Sequence, residues 1–213
     1  YIAISAKSLP IEVNVAIDEG LWYLWKTAER LSNGQYRWNN LRVGNHYANA
    51  TASAMQAFEV NSHSESQIQS PYYQAVRGGV DYLLSSLTVQ SLSLQGDENP
   101  DMNGNAIALS VDSSHPVYET GAVIDALVAS GTPDATARTG IPSVFGRRYQ
   151  EIVQDLVDMY AWGQADAGSS SGGWRYKWNL ESDNSAAQWA AIGMLAAERT
   201  PAHVDKGRDK ILG

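Results

Sequence analysis

No cysteine occurs among the 213 residues. That excludes thiolate nucleophiles, disulfide staples and zinc centres of the cysteine-bearing kind. No uninterrupted apolar run reaches the length of a bilayer-crossing helix, and no hydrophobic leader opens the chain, so neither a membrane span nor a signal peptide is expected. The first residue is Tyr1 rather than Met, which implies a removed leader or an excised piece. Charge is scarce too: Asp, Glu, Lys and Arg make up 18%, below the usual quarter, and Ser, Asn, Gln and Gly supply the polarity instead. A neutral polar surface of this kind is common outside cells, so an extracytoplasmic or secreted location is expected. The net charge of −8 repels a phosphate backbone at long range and argues against nucleic acid as a partner. Gly-x-Ser-x-Gly elbows, phosphate-cradling Gly-Lys loops and dinucleotide fingerprints are all missing.

What the chain does have is internal repetition. An Ile/Val-x-x-Gly-x-x-x-Leu/Ile spacing recurs as Ile17, Gly20, Leu24, as Val76, Gly79, Leu83 and as Val204, Gly207, Ile211, while Val153, Leu156 and Tyr160 fill the same slots without the glycine. Each copy opens a module of two helices and a loop. A two-helix unit with a period of roughly 60 to 70 residues cannot bury its apolar face alone and leans on its neighbours. The expectation is one continuous domain over 1–213, with repeats at 11–64, 71–132 and 147–200 and the start of a fourth at 202–213. A fourth copy cut off so early suggests a fragment of a larger protein.

The leading helices are expected near Asn14–Arg30, Tyr72–Leu87 and Arg148–Trp162, the first carrying a broad apolar stripe that includes Trp22 and Trp25. The returning helices fall near Asn49–Val60, Tyr118–Ala129 and Asn184–Glu198. They are rich in Ala, Gly, Ser and Thr, and small side chains permit close helix packing, which puts them inside and the longer aromatic helices outside. Gly131 is placed to stop the second of them. Period-two alternation is confined to short stretches such as Ala106–Val111, so the fold is expected to be almost entirely helical.

Two of the three intra-repeat loops carry Gly-x-aromatic-Arg-aromatic: Gly34, Tyr36, Arg37, Trp38, and Gly172, Gly173, Trp174, Arg175, Tyr176. An arginine between aromatics can stack while donating to helix-terminal carbonyls, tying the loop to the next repeat. The stretch from Gly172 to Glu198, with Asp183-Asn184-Ser185, Gln188-Trp189 and an Ala-rich helix, resembles the prenyltransferase/squalene-cyclase repeat, and with the other copies the resemblance spans nearly the whole chain. It implies an all-α fold, an α/α toroid of two concentric helix rings. About six hairpins close such a ring, so three imply a partial or truncated toroid. The resemblance does not extend to the activities of that group. The Asp-x-Asp-Asp acid string of the cyclases is missing, and the zinc set of the protein prenyltransferases and the thioester of similarly shaped proteins both need a cysteine. Only the fold carries over.

Aligning the returning helices on Ala54, Val123 and Ala191 puts His46, His115 and Asp183 at one equivalent position, just ahead of each helix. In a toroid these share a rim. Two imidazoles and a carboxylate can serve as acid and base or hold a metal, while residues at such positions often simply cap the helix. Neighbouring helices about 8–10 Å apart are also too distant for one ion to bridge unaided. Glu119 joins His115, His46 and Asp183 as a catalytic candidate, because a carboxylate at a cavity rim can be held as an acid. As a plain alternative it complements the helix dipole. Tyr47, Tyr118, Trp174, Tyr176 and Gln188 form a candidate ligand-binding set for a small apolar or glycan ligand, with inter-repeat packing as the competing reading. Asp97, Asn99, Asp101, Asn103 and Asn105 alternate oxygen ligands like a calcium loop, with Asp112 as a further oxygen, but Ser110 stands where an EF-hand needs its bidentate Glu. No other cofactor is expected. His63 and His203 read as solvated, and the sequon at Asn49–Thr51 falls at a buried helix start.

Together these features favour a non-catalytic binding or scaffold module. The alternative is an enzyme acting on an isoprenoid or a polysaccharide in the central cavity. Self-association through the open edge of the repeat array is a further expectation.

Overall fold

The computed structural model describes residues 9–39, 46–94, 99–166 and 168–202. Asp97, His203 and the fourth repeat's Val204, Gly207 and Ile211 lie outside the described residues. Within them the chain is mostly helical, with two small sheets. The elements run α1 Leu9–Thr27, β1 Glu29–Arg30, β2 Tyr36–Arg37, α2 Tyr47–Val60, α3 Tyr73–Ser85, β3 Leu87–Ser91, β4 Ile107–Val111, α4 Pro116–Ala129, α5 Tyr149–Gly163 and α6 Asn184–Ala197, with a 3₁₀ turn at Gly168–Ser170.

Side-chain size decides which helices lie inside. α4 lies between α2 and α6 and packs against both, α3 packs on α2, and α5 packs on α4 and α6. Close approach is greatest where α4 meets α6. A Cβ on Gly121 would stand 2.3 Å from the Trp189 carbonyl oxygen, and one on Gly193 would stand 2.8 Å from the Gly121 Cα. The leading helices supply bulk to this core through Val76, Val80 and Leu83 of α3 and Ile152, Leu156 and Tyr160 of α5, all buried. Full burial of each such side chain contributes roughly 1.5–3 kcal/mol. α1 sits outermost: Leu21 is buried and Leu24 is partly so, whereas Trp22, Tyr23 and Trp25 are exposed. The broad stripe expected on that helix is therefore only half used.

The repeats reappear as hydrogen bonds in matching slots. Thr51 and Thr120, both fully buried, stand one repeat apart on α2 and α4. Their hydroxyls accept the backbone N–H of Trp38 at 3.1 Å and of Val111 at 3.0 Å. The indole N–H groups of Trp38 and Trp174 donate to the carbonyls of Leu24 at 2.7 Å and Tyr160 at 3.0 Å, and Leu24 and Tyr160 fill the same slot of their leading helices. Each pins a loop to the helix that precedes it and satisfies a buried donor that would otherwise cost free energy.

The expectation of an almost wholly helical chain is corrected in the second repeat, where β3 and β4 form an antiparallel ladder from Leu87↔Val111 to Ser91↔Ile107. β4 packs against α5, and Ala108, Leu109 and Val111 are buried. Successive residues of a strand point to opposite faces, so β4 is buried on both, and pairing with β3 satisfies its backbone there. In the first repeat, β1 and β2 make a short ladder around Gly34, which takes φ +85°. Gln35 then reaches α3, donating to the Asp81 carbonyl at 3.2 Å and to Ser85 Oγ at 2.7 Å. Gly131, with φ +64°, follows the C-terminal cap of α4 in the conformation that glycine favours.

A candidate rim of histidine and tyrosine

His46, His115 and Asp183 occupy the N-cap positions of α2, α4 and α6. Their chemistry then diverges. Asp183 caps: its carboxylate accepts from the N–H groups of Ser185 at 2.9 Å and Ala186 at 3.2 Å. The Ser185 hydroxyl and these two amides hold its carboxyl below the ordinary range. Neither histidine makes a side-chain capping bond, so both rings are turned elsewhere.

They are turned towards each other. The two imidazoles meet edge to face at 5.0 Å between centroids, and His115 meets Tyr176 in the same way at 5.0 Å. Tyr176 in turn lies 5.7 Å from Tyr118. Tyr118 is hydrogen-bonded through its hydroxyl to Ser185, and Ser185 donates to Asp183. This continuous line of rings draws on all three repeats.

Glu119 underlies it. Its side chain is only 2% exposed, and Oε1 lies 2.8 Å from Nδ1 of His46, whose side chain is 22% exposed. A carboxylate oxygen accepts, so Nδ1 carries the hydrogen, and in the neutral ring Nε2 is the remaining acceptor. The pairing crosses from α4 to α2. Tyr47 belongs to the same edge. The Arg37 guanidinium lies 4.0 Å from the centre of its ring and forms a two-pronged ion pair with Glu29 at 2.7 and 3.1 Å. Arg175 likewise pairs with Glu181 while standing 5.6 Å from the ring of Tyr176. Arg175 stands by its neighbour Tyr176, whereas Arg37 stacks on Tyr47 of α2 in place of the aromatics beside it, and both arginines take carboxylates in place of helix-terminal carbonyls, because a charged acceptor makes the stronger bond. Those carbonyls go to the two indoles.

One member of the ligand-binding set, Trp174, stands elsewhere. Trp174 is 2% exposed and packs edge to face on Tyr160, so it is core, held there by its indole bond. Gln188 is exposed on α6. His63, expected in solvent, is partly buried, with Nδ1 2.9 Å from Ser70 Oγ and its ring edge-on to Tyr72.

The calcium-like loop spends its oxygens on itself. Asp101 accepts from the N–H groups of Gly104, Asn105 and Ala106 at 2.8, 3.2 and 2.7 Å, and Asn99 accepts from the Asp101 N–H at 3.1 Å. Asn103 and Asn105 donate their amides to Asp155 on α5. Among the described residues no cluster of three His, Asp or Glu side chains has metal-holding geometry. The neighbouring Asp158, buried beside Asp155, has its carboxyl raised to about 7 by burial, partly opposed by hydrogen bonds from Gln154 and the Met102 N–H.

Glu59, near the end of α2, is a further buried acid. Both carboxyl oxygens of Glu59 are buried without a hydrogen-bond partner. Burial, then the charges of Glu65 and Asp125, push its pKa well above the ordinary value. A folded-state pKa above the unfolded one means that stability falls as pH rises from about 4.3 towards the folded value. Glu59→Gln is therefore expected to match the parent near pH 4 and to exceed it by roughly 1–3 kcal/mol at pH 8. Urea unfolding at the two pH values checks this, and an equal difference at both would contradict it.

No family model matches the chain, and neither curated proteins nor solved structures give a significant match. Among the described residues no helix is long and apolar enough to cross a membrane.

Proposed function

We propose that this chain is a non-catalytic binding module, a partial α/α toroid of three hairpins resembling prenyltransferase/squalene-cyclase repeats, belonging to a larger extracytoplasmic protein. Its ligand is a glycan, held where α2, α4 and α6 begin. The observation that carries this reading is the convergence of His46, His115, Tyr118 and Tyr176 from three repeats into one line of ring contacts. Such rings offer apolar faces to the C–H side of a sugar and polar edges to its hydroxyls. The row of small-residue helices α2, α4 and α6, with α3 and α5 packed outside it, supports the toroid.

The test is isothermal titration of the protein with a panel of neutral and acidic oligosaccharides. Tyr176 is 39% exposed, so Tyr176→Ala is expected to leave the melting temperature within a few degrees of the parent. It should weaken binding about tenfold, the loss of roughly 1.4 kcal/mol. Saturable binding that Tyr176→Ala leaves intact, or no binding across the panel, would overturn the proposal.

The buried Glu119–His46 bond favours one second reading, an enzyme that acts on a polysaccharide or an isoprenoid. A carboxylate that fixes the tautomer of an imidazole leaves Nε2 available to move a proton. New chain ends or altered isoprenoid released during the same incubations, and lost in His46→Ala, would favour it over binding alone.

A further inference from the structure

Between the first-repeat loop and α3 lies a cleft of about 300 Å³, with Arg30, Tyr36, Tyr73, Gln74, Arg77 and Asp81 in its wall. We propose that it is a second binding site, for a carboxylate, sulfate or phosphate group, held by Arg30 and Arg77. Five arginines of this acidic chain pair with carboxylates: Arg37, Arg138, Arg147, Arg148 and Arg175. Arg30 and Arg77 form no such ion pair among the described residues, although the net charge of −8 leaves carboxylates in excess.

Each instead leans on a tyrosine. The Arg30 guanidinium stands 5.9 Å from the centre of the Tyr36 ring, and Arg77 Nη1 donates to the Tyr73 hydroxyl at 3.1 Å. A ring face and a hydroxyl hold a guanidinium in place without neutralising it, which leaves its remaining N–H groups for an anion. Asp81, the carboxylate in the wall, pairs with Arg138 at 3.0 Å and feels the charge of Arg77 without forming an ion pair with it.

The two arginines come from different elements of the wall, Arg30 from β1 and Arg77 from α3, and direct contact holds those two elements together. A Cβ on Gly78 would meet the Gly34 carbonyl oxygen at 2.8 Å and the Tyr36 ring at 2.5 Å, so loop and helix touch directly there. Two guanidinium forks on a rigid frame suit a planar or tetrahedral oxyanion better than a flexible ammonium would.

The experiment is a titration of the intact chain with sodium sulfate, inorganic phosphate and glucuronate at constant ionic strength held by chloride, followed by ¹H–¹⁵N NMR of backbone amides and arginine Nε–H groups. Saturable shifts are expected at Arg30, Arg77 and Gly78. Arg30→Gln and Arg77→Gln should each weaken the tightest of the three anions about fivefold or more, and the double variant should abolish saturation. Melting temperatures should hold, since both side chains are exposed. Preference for glucuronate identifies a carboxylate ligand, and preference for sulfate or phosphate a tetrahedral one. Shifts that do not saturate, or that persist in the double variant, would overturn the assignment.

Discussion

Asp155→Ala is expected to lower the unfolding free energy by about 3–5 kcal/mol, the cost of breaking a buried, hydrogen-bonded ion pair from one side. The Asp155 carboxylate is fully buried and accepts from Arg147 Nη1 at 2.6 Å and from the amides of Asn103 and Asn105 at 2.6 and 2.9 Å. Arg147 also donates to the carbonyls of Ser143 at 2.8 Å and Glu151 at 3.3 Å. Truncation removes one acceptor from three donors at once and leaves Arg147 with only its two carbonyls. For a chain of this size, roughly 2–4 °C per kcal/mol converts the loss to a fall of about 6–20 °C in melting temperature. The 99–106 loop should also become the first site of proteolytic nicking, because Asp155 is what holds two of its side chains to α5. A fall under about 2 °C would show that these contacts are exchanged for water at no cost. Asp155→Asn, which keeps an acceptor but removes the charge, should fall in between.

Gly121→Val is the second large effect. The valine side chain would have to displace the Trp189 carbonyl, 2.3 Å from the position of its Cβ, and the Tyr160 hydroxyl at 3.0 Å. Both are parts of the core that cannot swing aside, and overpacking of this kind costs about 1–3 kcal/mol or more. α4 and α6 would part, carrying Tyr118 and Ser185 away from each other. Gly20→Ala is the control. Nothing lies within 4 Å of the Cβ it adds, so removing a helical glycine there should stabilise by about 0.5–1 kcal/mol. Gly121→Val at parental stability would mean that the close approach of these helices contributes little to the fold.

Both effects depend on features that the sequence discloses unequally. Apart from α1, which starts at Leu9, five residues ahead of the expected Asn14, helix positions were legible within two residues, since the 3.6-residue period and the small-residue signature of the returning helices are strong local signals. α1 ends at Thr27 short of the expected Arg30 because Glu29 and Arg30 enter the ladder with Tyr36 and Arg37. The β3–β4 hairpin left only the alternation at Ala106–Val111, and a five-residue strand paired across a long loop has no longer signature to show. The rim was partly legible. Aligning the repeats placed His46 and His115 together, but the bond from Glu119 to His46 spans 73 residues, and no local pattern encodes it. Trp174 misled because an aromatic beside a loop glycine suits a pocket wall and a core equally. The signal that separates them is the shared slot of Leu24 and Tyr160, whose carbonyls take the two indoles. Asp155 and Asp158 lie three residues apart among the apolar core positions of α5, and with an asparagine-rich loop elsewhere in the chain that pattern signals a buried polar anchor.

The most direct measurement is ¹⁵N NMR of the histidine rings during titration with the tightest oligosaccharide of the panel. His46 and His115 are expected to shift together and to saturate at one ligand per chain, while His63, bonded to Ser70, stays fixed. Saturable binding that leaves both rim histidines unmoved, or moves His63 as far, would contradict a ligand site built by three repeats at the start of α2, α4 and α6.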